Sequence, residues 1–161
     1  MQARFRERRG AAYTSRLDEF GRLSLDPTFA DFIDAFAADG ASRKLHSVEI
    51  SSPDPAAVVL AASWLQRLSR QKVTYRLQFD AGLDLVEAVR FWAGVLGVPA
   101  AAIKLQRVPG SDPSWRSAHG VVAVETRDRH LRSRLESWID RSRGECPSGL
   151  APRLGNVRRA V

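Results

Sequence analysis

Lys72, Thr74, Arg76 and Gln78 alternate with Val73, Tyr75, Leu77 and Phe79. A period of two sends the two sets to opposite faces of a β-strand. Lys104 and Gln106 repeat the pattern against Ile103 and Leu105. Cations, amides and a hydroxyl on one sheet face suit phosphate oxygens and base edges. A face that only meets water also needs polar side chains, and Glu49 and Glu125 are expected to share this one. Arg43, Lys44 and Arg116 add candidate nucleic-acid contacts from flanking segments.

Asp39 is the most suggestive acid. It stands before Gly40 at the end of an apolar helical run. The dipole at a helix C-terminus disfavours a negative charge, so an acid there wants a cation. Such a carboxylate can hold a divalent metal beside a phosphate. The plainer reading is a surface acid before a capping glycine. Other chemistry is poorly served. Cys146 is the only cysteine, so neither a thiolate zinc site nor an internal disulfide can form. His46, His119 and His130 lack ligand spacing; His46 is expected at the core edge of a strand and His119 in a turn. Gly94 and Gly97 bracket a helix end and do not form a phosphate loop, and no serine stands in a G-x-S-x-G turn.

These residues need a scaffold. The 161-residue chain has 44% hydrophobic and 27% charged residues, an ordinary globular composition. No apolar run approaches the roughly 20 residues of a membrane span. A start without an apolar segment and the single cysteine suit the cytosol. The net charge of +7 is carried by the ends: residues 1–22 hold +3, residues 127–161 hold +5 and the middle holds −1. This favours a polyanionic partner, with solubility as the competing reason for the arginines.

Asp26-Pro27, Asp54-Pro55, Asp84 and Asp128 each read as helix starts. Apolar stripes follow them: Phe29, Phe32, Ile33, Phe36 and Ala37; then Val58, Ala61, Trp64, Leu65 and Leu68; then Leu85, Ala88, Val89, Trp92 and Leu96; then Leu131, Leu135, Trp138 and Ile139. Strands are expected over Leu45–Ile50, Lys72–Phe79, Ile103–Gln106 and Gly120–Thr126, the last two paired as a hairpin across the turn-rich Pro109–Ser114. The fold class is α+β, a mostly antiparallel sheet with helices on one face. Residues 1–25 form a basic arm or helix, 26–143 the domain and 144–161 a basic disordered tail. Arg132, Arg134, Arg141 and Arg143 flank the last stripe, where they either grip DNA or lay their stems over the core edge.

The run Phe32-Ile-Asp-Ala-Phe-Ala-Ala-Asp-Gly40 resembles the signature helix of the LAGLIDADG homing endonucleases. Ser51-Ser-Pro-Asp-Pro55 is similar to the helix-opening segments of that superfamily, and Leu85–Pro99 with Ala118–Val124 looks like a group of actinobacterial proteins that join a helix-turn-helix to a LAGLIDADG-like domain. The resemblance covers about residues 26–142. It implies an αββαββα core, a saddle-shaped sheet on duplex DNA and a homodimer joined through the motif helices. It also makes Asp39 the catalytic metal ligand, with magnesium as cofactor, if the chain is a nuclease. Ile33 and Asp34 replace the motif's small residues, which favours binding without cleavage. The expected function is DNA binding by a non-catalytic LAGLIDADG-like domain. A metal-dependent endonuclease is one alternative. The other is a protein-interaction module anchored by Trp115.

Overall fold

The computed structural model describes residues 15–39, 46–108 and 117–144, with the backbone alone at Asp39. The expectations for the Asp39 carboxylate, Arg43, Lys44, Trp115, Arg116, the first 14 residues and the tail beyond 144 lie outside the described residues. The elements are α1 (15–23), α2 (Pro27–Asp39), β1 (Val48–Ser52), α3 (Pro55–Leu68), β2 (Val73–Phe79), α4 (Leu85–Leu96), β3 (Ile103–Arg107), β4 (Val121–Thr126) and α5 (Arg129–Ser142). The class is α+β, as expected. No helix among the described residues is long and apolar enough to cross a membrane.

Each expected helix start caps as its residue type dictates. Asp26 accepts from the Thr28 amide at 3.0 Å, and Asp54 from Ala56 at 3.0 Å. Asp84 accepts from Val86 and Glu87 at 3.0 and 3.1 Å. Gly97 ends α4 in the left-handed conformation, φ 64°. The stripe of α3 is buried in full and that of α2 is buried except for the half-buried Ala37, whereas α4 buries only Ala88 and Trp92 completely. An aromatic cluster joins the layers: Phe29 packs on Phe20, Trp64 and Trp138 with centroids 5.8, 5.0 and 5.5 Å apart. Through Phe20, and through the Trp138 indole donating to the Arg16 carbonyl at 3.1 Å, α1 is docked on the core.

The sheet runs β1-β4-β2-β3. β4 is antiparallel to β1 and β2, while β3 lies parallel to β2. The expected β3–β4 hairpin does not form. The helical crossover through α4 returns the chain parallel to β2, which puts β3 on the outer edge. β4 carries Val121, Val122, Ala123 and Val124, all buried, and so takes a central slot. This arrangement departs from αββαββα, because α3 stands between β1 and β2 and β3 runs parallel to β2. His46 lies exposed in a turn before β1 and not within a strand, since the paired residues begin at Val48.

Candidate nucleic-acid interface

The strand alternation places the expected polar set as the sequence implies. Across the face away from the core, one row runs Ser51, Ala123, Arg76, Lys104 and the next runs Glu49, Glu125, Thr74. A third row sets Val121 beside Gln78 and Gln106. Lys72 lies one residue before β2, exposed.

The electrostatics of this face are balanced. The Arg76 guanidinium donates to Glu49 Oε2 at 2.8 Å and lies 3.6 Å from Glu125 Oε2. Glu49 and Glu125 are direct cross-strand partners, so Arg76 relieves a like-charge contact that the register itself creates. Thr74 donates to the Glu125 carbonyl at 3.3 Å, and Gln78 to Gln106 Oε1 at 3.4 Å. Arg76 is therefore an internal clasp and not a free phosphate ligand. Lys104 is exposed and makes no ion pair among the described residues.

Two arginines of α5 are likewise structural. Arg132, 8% exposed, donates to the Ser47 carbonyl at 3.1 Å and to Glu136 at 2.8 Å, with its guanidinium 5.6 Å from the Phe36 ring centroid. Arg134 reaches Glu19 at 2.6 Å and the Leu68 carbonyl at 2.7 Å. Both stems cover the core edge, the second of the two expected roles. Arg141 and Arg143 remain exposed.

A different cationic group emerges where α3 enters β2 and β4 enters α5. Val73 pairs with Thr126, and Lys72 and Arg127 stand one residue outside that pair on adjacent strands. Arg70 and Arg129 flank them. All four are exposed and make no ion pair among the described residues. The junction beneath is fixed. Asp128 Oδ1 caps α5, accepting from His130 at 3.0 Å and Leu131 at 2.9 Å. Its Oδ2 accepts from the Arg70 amide at 3.1 Å and lies 3.2 Å from the Ser69 hydroxyl. Ser69 Oγ also meets Thr126 Oγ1 at 2.8 Å. The one carboxylate between Arg127 and Arg129 is held ionised by backbone amides and pairs with none of the four cations, so the corner carries a net charge of about +3.

Burial pushes the Asp128 carboxyl up, but the amides of Leu131, Arg70 and His130 and the Ser69 hydroxyl outweigh it and hold it below its usual range. A depressed folded value means that this stabilisation is complete above the ordinary carboxylate range. It is lost as pH falls through the folded value. Asp128→Asn is expected to cost about 2 kcal/mol at pH 7. It should also flatten the loss of stability below about pH 4, as read by urea unfolding at several pH values. An unchanged acid limb would contradict the assignment.

At the other end of β2 lies a cleft of about 410 Å³ lined by Gln78, Asp80, Asp84, Ser117 and Gly120 among others. Asp80 accepts from the Gly82 amide at 3.0 Å and Asp84 caps α4. No cation lines it among the described residues. His119 occupies a turn, as expected, stacked on Phe91 with centroids 3.9 Å apart. No group of three His, Cys, Asp or Glu side chains able to hold a metal ion occurs among the described residues.

Arg70, Arg127 and Arg129 escape a search for motifs because Arg70 lies 57 and 59 residues before the other two. The pairing of Val73 with Thr126 and the hydrogen bonds of Asp128 to Ser69 and Arg70 join Arg70-Gln-Lys72 to Arg127-Asp-Arg129. Comparison of the chain with protein-family models, with curated proteins and with solved structures finds no match.

Proposed function

We propose that the protein binds nucleic acid, with duplex DNA as the partner, through Arg70, Lys72, Arg127 and Arg129. The observation that carries this reading is that these four cations are exposed, lack ion-pair partners among the described residues and stand on a junction pinned by Asp128. The pinned backbone keeps the four side-chain origins close together, and each guanidinium or ammonium that meets a phosphate releases condensed counterions. Thr74, Gln78, Lys104 and Gln106 give a neutral-to-basic polar surface that continues from the corner along the sheet. The LAGLIDADG resemblance of residues 32–40 supports the same substrate class by analogy, although α3 between β1 and β2 and the parallel β2–β3 pair separate the two folds.

The test is an anisotropy titration of a labelled duplex with the native protein at low and physiological salt. The reading expects saturable binding that weakens as salt rises. Absence of binding at low salt would overturn it and leave the charge to solubility or to an acidic protein.

A further inference from the structure

The outer edge of β3 carries no further strand among the described residues. Among the described residues β3 pairs only with β2. The Val108 amide donates to the Phe79 carbonyl at 2.9 Å, and Arg107 is the register partner of Phe79. Alternation then turns the backbone groups of Lys104 and Gln106 toward β2, and those of Ile103, Leu105 and Arg107 outward. The Ile103 amide is taken by the Ala100 carbonyl, but its own carbonyl faces out. Leu105 stands in the row of Val122 and Leu77, both fully buried, yet is itself 53% exposed. The helical layer stops short of it. An apolar side chain and free backbone groups at the middle of an edge strand invite another strand.

We infer that the occupant is a second copy of the chain, paired antiparallel through β3 about a two-fold axis at Leu105. The register argues for this occupant. With the axis at Leu105, the two leucines meet and each Lys104 faces the other copy's Gln106. Each Ile103 then faces Arg107. All five residues of β3 are used, and no like charges stand opposite each other. Moving the axis to residue 104 sets two ammonium groups together, and moving it to residue 106 parts the leucines. The chosen register forms reciprocal amide-to-carbonyl bonds at Leu105, and each Arg107 amide reaches the other copy's Ile103 carbonyl. The product is one continuous eight-stranded sheet whose polar face spans both copies. It uses β3, a surface distinct from the motif helix α2, whose Phe29, Phe32 and Phe36 are spent on their own core.

Sedimentation of the full chain without nucleic acid tests this independently of the proposed function. A concentration-dependent monomer–dimer equilibrium is expected. Leu105→Lys, which sets two cations on the axis, should raise the dissociation constant at least tenfold without changing the circular dichroism spectrum. The double variant L105C/C146S should form an oxidised dimer, because paired β-strand Cα atoms about 5.5 Å apart lie within disulfide reach. V59C/C146S, cysteine placed on exposed α3, should not. A strictly monomeric native protein, or a dimer that ignores Leu105→Lys and fails to cross-link through position 105, would overturn the inference.

Discussion

Gly120→Ala is expected to remove about 3–4 kcal/mol of stability, a large share of the roughly 5–15 kcal/mol of a typical domain. Gly120 leads into β4 with φ 72°, a conformation that side-chain-bearing residues adopt at a cost. A Cβ there would also stand 2.7 Å from the Gln78 carbonyl oxygen and 3.0 Å from methyl carbons of Leu77 and Leu83. Gln78 cannot retreat, because it is laddered to β4 on one side and β3 on the other. The control is Gly94→Ala in α4, where an added Cβ meets nothing within 4 Å. That change should stabilise by about 0.5–1 kcal/mol through helix propensity alone. Urea unfolding of both variants reads the contrast. A loss below 1 kcal/mol at Gly120 would contradict the tight entry into β4.

The second large effect belongs to the basic corner. Replacing Arg70, Lys72, Arg127 and Arg129 together by glutamine is expected to weaken duplex binding about a thousandfold at 0.1 M salt. Each phosphate contact contributes about 0.9 to the slope of log affinity against log salt, so four contacts supply between three and four decades at that concentration. The fold should survive, because none of the four side chains makes an ion pair among the described residues and the knot beneath uses only the Arg70 amide. Arg76→Gln is the informative contrast. It removes a cation already held by Glu49 and Glu125, so it should cost stability, about 2 kcal/mol, while changing affinity less than threefold.

The helices were legible because their signals are local. An aspartate cap, a proline and a 3.6-residue apolar period lie within a dozen residues, and Asp54, Asp84 and Asp128 all cap as their sequences imply. The polar and apolar faces of β2 were equally legible from its alternation. Strand order was not. Whether β4 pairs with β3 or inserts between β1 and β2 depends on the α4 crossover, and the unbroken apolar run Val121–Val124 was the available sign of a central strand. The candidate site divides the same way. Alternation identified which residues share the sheet face, but not that the register sets Glu49 against Glu125 and so recruits Arg76 as their clasp. The corner cations come from two junctions, the α3–β2 loop and the β4–α5 boundary, whose union is a tertiary event. Of the four, Lys72 alone carried a local signal, through its place in the β2 alternation.

The most direct test of the account is the salt dependence of duplex binding by the native protein beside the four-glutamine variant. The account predicts a slope shallower by about 3.6 in the variant, with the two affinities converging as salt approaches 1 M. Parallel lines of equal slope would place the phosphate contacts elsewhere on the molecule and contradict the central role of the Arg70–Lys72–Arg127–Arg129 corner.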